Sequence, residues 1–373
     1  MSTISVIIPT YNRAHLIGET LDSLMAQTRR PDQLLVIDDG STDGTPGVLA
    51  RYDALTVVRT ENSGKARALN RALGLVTGDL VWILDDDDIV LPEACARLSA
   101  PLDADPTLDF CAGRHLDFVV DPGSGGRRTR SPGYMRRSAP EQIFPDLLEG
   151  CHIFQPGLMV RRRVYDAVGP FDVELVRSQD YEMLLRIARR HRGLQLDEVV
   201  FLHREHDGVR GSAADSFAAS RNADKWAEYN RIIFARLLAD TDDDEILAAS
   251  DVAALPAAVR PRAAMIKRGC VMARQRMWPE AIAAWQAAVR LGPDALSPLE
   301  RDMLARSPNA PIGAPELFDR TSRAAISVLA RGPAPGPEMA AIVRRTARWH
   351  IRAALRARDL GRAVAGVRLM LGV

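Results

Sequence analysis

The sequence predicts an α/β fold, a mostly parallel sheet flanked by helices, followed by a helical C-terminal region. Through about the first 110 residues, apolar β-branched segments alternate with segments of helical period, the pattern of parallel strands joined by crossover helices. Beyond about Ser212 the chain turns rich in Ala, Arg and Leu with few strand-like runs, which favours helix. With 373 residues, 47% of them hydrophobic and 26% charged, there is core material for two domains of a globular enzyme.

Taken in order, Ile4 to Ile8, Leu34 to Ile37, Thr56 to Val58 and Leu80 to Leu84 read as strands. Between them Leu16, Ile17, Leu21, Leu24 and Met25 form one helical face, and Ala66, Leu69, Asn70 and Leu73 another, so both helices would cover a buried sheet. From Arg114 to about Gly150 the pattern lapses into Gly, Pro, Ser and Arg, including Asp121-Pro122-Gly123-Ser124-Gly125-Gly126, which predicts turns and mobile loop. Periodicity resumes at Phe154 to Val160. A helix is expected near Gln179, with Met183, Leu184, Ile187 and Ala188 inward, then a strand from Leu196 to Leu202. The expected domains are 1–212, split into halves 1–113 and 114–212, and a helical region 213–373. Asp242 to Glu245 reads as an acidic linker, and 264–293 as one tetratricopeptide-like helix pair without further copies.

Basic and acidic residues balance, 49 against 48, so the global charge selects no nucleic acid or other polyanion. Cys95, Cys111, Cys151 and Cys270 form no CxxC pair, which points to neither a zinc knuckle nor a disulfide scaffold and fits a reducing cytoplasm. Met1 leads directly into an apolar strand rather than a signal peptide, and nowhere do 18 apolar residues follow one another. Peripheral membrane contact stays open. Pro337 to Val373 holds eight arginines against two acids with apolar residues at helical spacing, compatible with a membrane-surface helix or with docking on the protein's own core.

Asp85-Asp86-Asp87-Asp88 follows an apolar strand directly. Four adjacent carboxylates repel, and a hard divalent cation such as Mg²⁺ or Mn²⁺ relieves that repulsion while leaving positions for phosphate oxygens. Taken alone, such a run suits a solvated loop or helix cap equally well. Asp38-Asp39-Gly40-Ser41-Thr42-Asp43 also follows a strand, at the carboxyl edge where open α/β sheets bind ligands. Asn62-Ser63-Gly64-Lys65 opens a helix with a glycine and a cation, suited to a phosphate or simply to solvent. Arg59 breaks the GxxxxGK spacing and no GxGxxG follows the first strand, so triphosphate hydrolysis and dinucleotide binding lose support.

Taken in sequence, Val6-Ile7-Ile8-Pro9-Thr10-Tyr11-Asn12, Asp38 to Asp43, Gly64-Lys65-Ala66-x-Ala68-Leu69-Asn70, and Asp85-x-Asp87-Asp88 with Pro92 resemble family 2 glycosyltransferases. The resemblance spans roughly the first 95 residues, with weaker matches to about residue 212. It implies a GT-A fold, a nucleoside-diphosphate sugar donor, Mn²⁺ or Mg²⁺, inversion at the anomeric carbon and a hexosyltransferase type of activity.

Carried over to these positions, the resemblance sets Pro9, Thr10, Tyr11 and Asn12 beside the nucleoside and Asp38 and Asp39 at the base, with Gly64, Lys65 and Asn70 completing the nucleotide-sugar site. Asp86 and Asp87 would face the ribose and the metal-bound diphosphate, Asp85 would belong to the same nucleotide-sugar site, and Asp87, then Asp85, would hold the metal. Leu202-His203-Arg204-Glu205-His206 resembles the histidine-bearing segment of relatives and adds His206 as a metal ligand, with His203 behind it. Asp180, in Ser178-Gln179-Asp180-Tyr181-Glu182, matches the aspartate that takes the acceptor proton, although Gln179 stands where Glu is commoner; a helix cap is its plainer role. Arg127, Arg128, Arg130, Arg136 and Arg137 are read as solvated loop cations or a phosphate clamp.

Arg345-x-x-Arg348-Trp349 only echoes the motif of processive polymerases, so one sugar per encounter is expected. The acceptor would be a glycan, a lipid-linked glycan or another cell-envelope precursor of polysaccharide biosynthesis. Its rivals are a peptide or protein acceptor held by the helical extension, and a non-catalytic nucleotide-sugar-binding protein.

Overall fold

Ile4 to Thr10 is an unbroken run of buried residues, and such a run is stable only as a central strand covered on both faces. In the computed structural model it is β1. The structure describes residues 1–121, 123–132, 135–205, 210–212, 215–217, 222–310, 312–356 and 358–372. After β1 come α1 (Ile17–Met25), β2 (Gln33–Asp38), α2 (Thr45–Leu49), β3 (Thr56–Arg59), α3 (Lys65–Leu73), β4 (Leu80–Ile83), β5 (Ile89–Val90), α4 (Ala94–Ala104), β6 (Phe110–Val120), β7 (Arg127–Arg130), α5 (Ile143–Glu149), β8 (Leu158–Arg161), α6 (Arg162–Val168), α7 (Gln179–Arg190) and β9 (Gly193–Arg204). A short antiparallel pair, β10 (Arg210–Ser212) and β11 (Asp215–Phe217), follows.

The chain divides into two units, one of Met1–Phe144 with Cys151–Asn222, the other of Pro145–Gly150 with Ala223–Val373. Among the described residues the first unit's main sheet runs β3-β2-β1-β4-β8-β6-β9-β5, with β7 added on β6. The strands β3, β2, β1 and β4 are parallel, so Thr10, Asp38 and the residues after Ile83 emerge at one edge. Ile4, Val6 and Ile8 meet Ile17, Leu21 and Leu24 of α1, and Trp82 and Leu98 fill the same core. The Trp82 indole donates to the Pro156 carbonyl at 2.8 Å, so the largest side chain of that core leaves no polar atom unpaired.

Two expectations change. The stretch from Arg114 was expected as turns and mobile loop, yet β6 runs on to Val120 and β7 pairs with its end. The polar residues there are buried rather than solvated: Asp117 stands opposite His203 of β9 and is hydrogen-bonded to it, and His115 stands opposite Phe201. Three arginines of this region are on the surface but paired: Arg127 with Glu19 at 2.5 Å, Arg137 with Asp197 at 2.8 Å, and Arg130 with Glu205. The acidic run at Asp242 is likewise no linker. Asp242 caps α9 (Asp243–Ile246), following the α8 helix (Asn222–Ala239), and Glu245 returns to its backbone N–H as a capping box.

The second unit continues through α10 (Ala249–Ala254), α11 (Arg260–Arg274), α12 (Trp278–Val289), α13 (Pro298–Arg306), α14 (Arg320–Arg331), α15 (Gly336–Arg356) and α16 (Leu360–Leu371). Trp278 and Trp285 are fully buried, edge to face at 6.1 Å, and anchor α12 against α11. Gly269 makes that approach possible: a Cβ there would lie 2.4 Å from the Trp285 ring nitrogen. Arg262 and Glu300 form a buried ion pair at 2.8 Å whose guanidinium also donates to the Gly292 and Asp294 carbonyls.

Candidate functional site

The parallel strands deliver three loops to one edge, and each loop is fixed by side chains spent on backbone. Asp39 accepts from the Ser63 and Gly64 N–H groups at 2.9 and 2.8 Å, which ties the end of β2 to the start of α3. Gly64 itself sits at φ 94°, a conformation that L side chains rarely adopt, so only glycine fits there without strain. Asp38 accepts from the Ser41 N–H at 2.8 Å, and Asn12, at φ 54°, accepts from the Thr42 and Asp43 N–H groups at 2.7 and 3.3 Å. Asn12 thus holds the loop after β2, its carbonyl oxygen already occupied. Pro9 and Thr10 end β1 and are buried, while Tyr11 lies just beyond them on the surface.

The four aspartates after β4 divide by environment. Asp85 pairs with Lys65 at 2.5 Å, and Asp86 lies 3.4 Å from Arg13 Nε. Burial, and next the charge of Asp87, push Asp86 up to about 7, with Arg13 opposing. Asp88 is buried; its carboxylate accepts from the Arg204 N–H at 2.8 Å and its carbonyl from the Thr20 hydroxyl at 2.8 Å. Burial raises its pKa well above the usual carboxylate range. Arg204 Nε also donates to the Asp87 carbonyl at 2.8 Å, with its guanidinium 4.6 Å over the Phe118 ring and 3.1 Å from Glu19. Asp85, Asp86 and Asp87 are therefore the half-buried members of the run, and Asp88 is its anchor.

Asp180 stands in the first turn of α7 and accepts from the Tyr181 N–H at 2.9 Å. Two grips on the segment before α7 bring it toward α3. Arg186 of α7 donates to the Val168 and Pro170 carbonyls at 2.5 and 2.8 Å, and Asn70 of α3 takes both the N–H and the carbonyl of Phe171, at 2.8 and 2.9 Å. Asn70, expected at the nucleotide, instead has both ends of its amide bound to this backbone. Burial alone would lower the pKa of Lys65, but the charges of Asp85, Asp180 and Asp86 raise it. One cation thus feels carboxylates from β4 and from α7.

Sequence reasoning passed over Arg13, Thr20 and Arg204, although Arg13 directly follows the Pro9 to Asn12 motif and Arg204 lies in a quoted segment. It also ranked His203 below His206. His206 lies outside the described residues. His203 Nδ1 lies 3.1 Å from Asp117 Oδ1; burial would lower its pKa, but this hydrogen bond and the charge of Asp88 lift it to about 8. Burial, then the charge of His203, depress His115 to about 4.

Asp85, Asp86 and Asp87 are half-buried carboxylates on consecutive residues, and their oxygens are the donor type a hard divalent cation takes. Asp85 and Asp87 would hold it. When bound, such a cation supplies charge neutralisation for a diphosphate.

Residues 5–169 match the sequence profile described as Glycosyl transferase family 2. An uncharacterized glycosyltransferase of Bacillus subtilis, YwdF, is 29% identical over 192 residues, covering 51% of this chain and 69% of the relative. One from Rickettsia typhi, RT0329, is 27% identical over 224 residues, covering 57% and 66%. A third, RP339 of Rickettsia prowazekii, is 27% identical, covering 50% and 58%, so the chain spans less than two thirds of some of these relatives. Among solved structures, S. aureus TarS 1-349 superposes with a TM-score of 0.54 at 19% identity, covering 91% of this chain and 90% of that one.

Proposed function

We propose that the protein, whose residues 5–169 match the profile of glycosyl transferase family 2 and which has the GT-A fold, transfers a hexosyl group from a nucleoside-diphosphate sugar to an acceptor hydroxyl. The acceptor is a glycan, a lipid-linked glycan or another cell-envelope precursor, and the transfer is non-processive and inverting. The observation that carries this reading is the Lys65–Asp85 ion pair, at an ammonium that also feels the charges of Asp180 and Asp86. A cation placed for phosphate and a carboxylate placed for an incoming hydroxyl are the two halves of a transfer site.

In this reading Pro9, Thr10, Tyr11 and Asp39 receive the nucleoside and Asp86 the ribose. Lys65 exchanges Asp85 for a phosphate oxygen as the donor enters. Asp180 accepts the hydroxyl proton while the acceptor oxygen bonds to the anomeric carbon, and the bond from that carbon to the phosphate oxygen breaks, its electron pair leaving with the diphosphate. Mn²⁺ or Mg²⁺ at Asp85 and Asp87, with His206 as a further ligand, is part of the proposal. TarS 1-349 has been solved with UDP and with UDP-GlcNAc, ligands of the proposed donor class.

A peripheral contact with the inner face of the membrane also belongs to the reading. On α15 and α16 Trp349, Leu355, Leu360, Val364 and Leu371 are exposed beside the exposed arginines Arg345, Arg348, Arg352, Arg356 and Arg362. No helix among the described residues is long and apolar enough to cross a membrane.

Calorimetry with UDP, GDP and dTDP sugars, with and without Mn²⁺, tests the donor half. The expected result is Mn²⁺-dependent binding of one nucleotide class that weakens at least tenfold in Asp87→Ala. Equal binding by wild type and variant would remove Asp87 from the site.

A further inference from the structure

His115 and Asp117 lie two residues apart on one face of β6, and His203 stands opposite Asp117 on the parallel strand β9. Asp117 Oδ1 lies 3.1 Å from His203 Nδ1 and 3.6 Å from His115 Nε2, and one ligand atom from each residue falls within 4.8 Å of the others. A tetrahedral ion with bonds of about 2.0–2.1 Å needs donor atoms roughly 3.3–3.4 Å apart, so both distances to Asp117 are close to the separation such an ion requires.

Hydrogen bonding within the cluster leaves one donor atom over. Asp117 takes His203, while His115 Nε2, in a side chain only 2% exposed, has no hydrogen-bond partner among the described residues. The His115 ring cannot turn freely to find one, because Phe154 meets its face edge-on at 4.5 Å and Phe201 stacks on it at 5.2 Å. Phe154 also stacks on His203 at 5.5 Å, so one aromatic frame orients both imidazoles. His203 remains 31% exposed, which leaves a path in and a fourth coordination position open to solvent.

We infer that His115, Asp117 and His203 form a binding site for a first-row transition cation of the Zn²⁺ type, separate from the Asp85 to Asp87 set. Two imidazoles and one carboxylate select Zn²⁺ or Co²⁺ over Mg²⁺ or Ca²⁺. The ion would clamp β6 to β9 one residue before Arg204, the side chain that fixes Asp87 and Asp88. The inference rests on these three residues and not on the donor reading.

The test uses tag-free full-length protein stripped with chelator and titrated with Co²⁺, whose visible absorption is strong in four-coordinate sites, and with Zn²⁺ by competition. Wild type and Asp87→Ala are expected to show the same four-coordinate Co²⁺ band, saturating at one equivalent. His203→Ala and the gentler Asp117→Asn are expected to weaken binding at least tenfold while keeping the wild-type circular dichroism. Zn²⁺ is expected to raise the Tm of the stripped wild type but not of these variants. Absence of the band in wild type, or its loss in Asp87→Ala with retention in Asp117→Asn, would overturn the site.

Discussion

Asp39 and Asp88 use carboxylates as internal struts, whereas Asp85 and Asp86 keep theirs against cations at the sheet edge. Lys65 is the hinge between these roles. Lys65→Ala should lower kcat/KM on the order of a hundredfold, with Lys65→Arg recovering part of it, because one preorganised donor to developing charge is worth about that much; steady-state kinetics decides. Asn70→Ala should cost about 2 kcal/mol in denaturant unfolding, since it abandons the N–H and carbonyl of Phe171, and should slow turnover more than it weakens donor binding. If it instead abolishes donor binding with stability intact, Asn70 is a nucleotide contact after all. The motifs around Asn12 and Asn70 were readable in the sequence, but their use was not. An amide that both donates and accepts satisfies a ligand or a loop equally well, and only the fold decides which lies within 3 Å.

At the scale of elements, β1, β2, β3 and β4 were legible because buried parallel strands read as apolar runs. β6 was not, because its second half carries Arg114, His115 and Asp117, residues that read as loop until β9 supplies their partners. Arg204 was hidden for the same reason: its targets, Asp87 and Asp88, are more than a hundred residues away in sequence. α11 and α12 were legible as a helix pair, but not the contact that joins them. Gly269→Ala forces a methyl into the Trp285 ring and the Ala281 carbonyl, and should destabilise by about 1–3 kcal/mol. Thermal unfolding of the full chain reads this; an unchanged Tm would mean that α12 shifts freely.

For the whole molecule, the residues of the proposed transfer belong to the first unit and the basic, apolar surface of α15 and α16 to the second. Vesicle sedimentation should show binding to anionic phosphatidylglycerol membranes, weak binding to phosphatidylcholine, and loss of binding in Trp349→Ser combined with Leu360→Ser. Equal partitioning to both lipids would remove the arginines from the account. The central claim is that Asp180 and the Asp85 to Asp87 loop act on the two ends of one transfer. Its most direct measurement is acceptor-dependent release of nucleoside diphosphate from the preferred donor sugar, in the presence of Mn²⁺, by wild type, Asp180→Asn and Asp87→Ala. Asp180→Asn should bind donor as wild type does yet lose turnover by at least a hundredfold, and Asp87→Ala should lose both; turnover within a few-fold of wild type in both variants would contradict the claim.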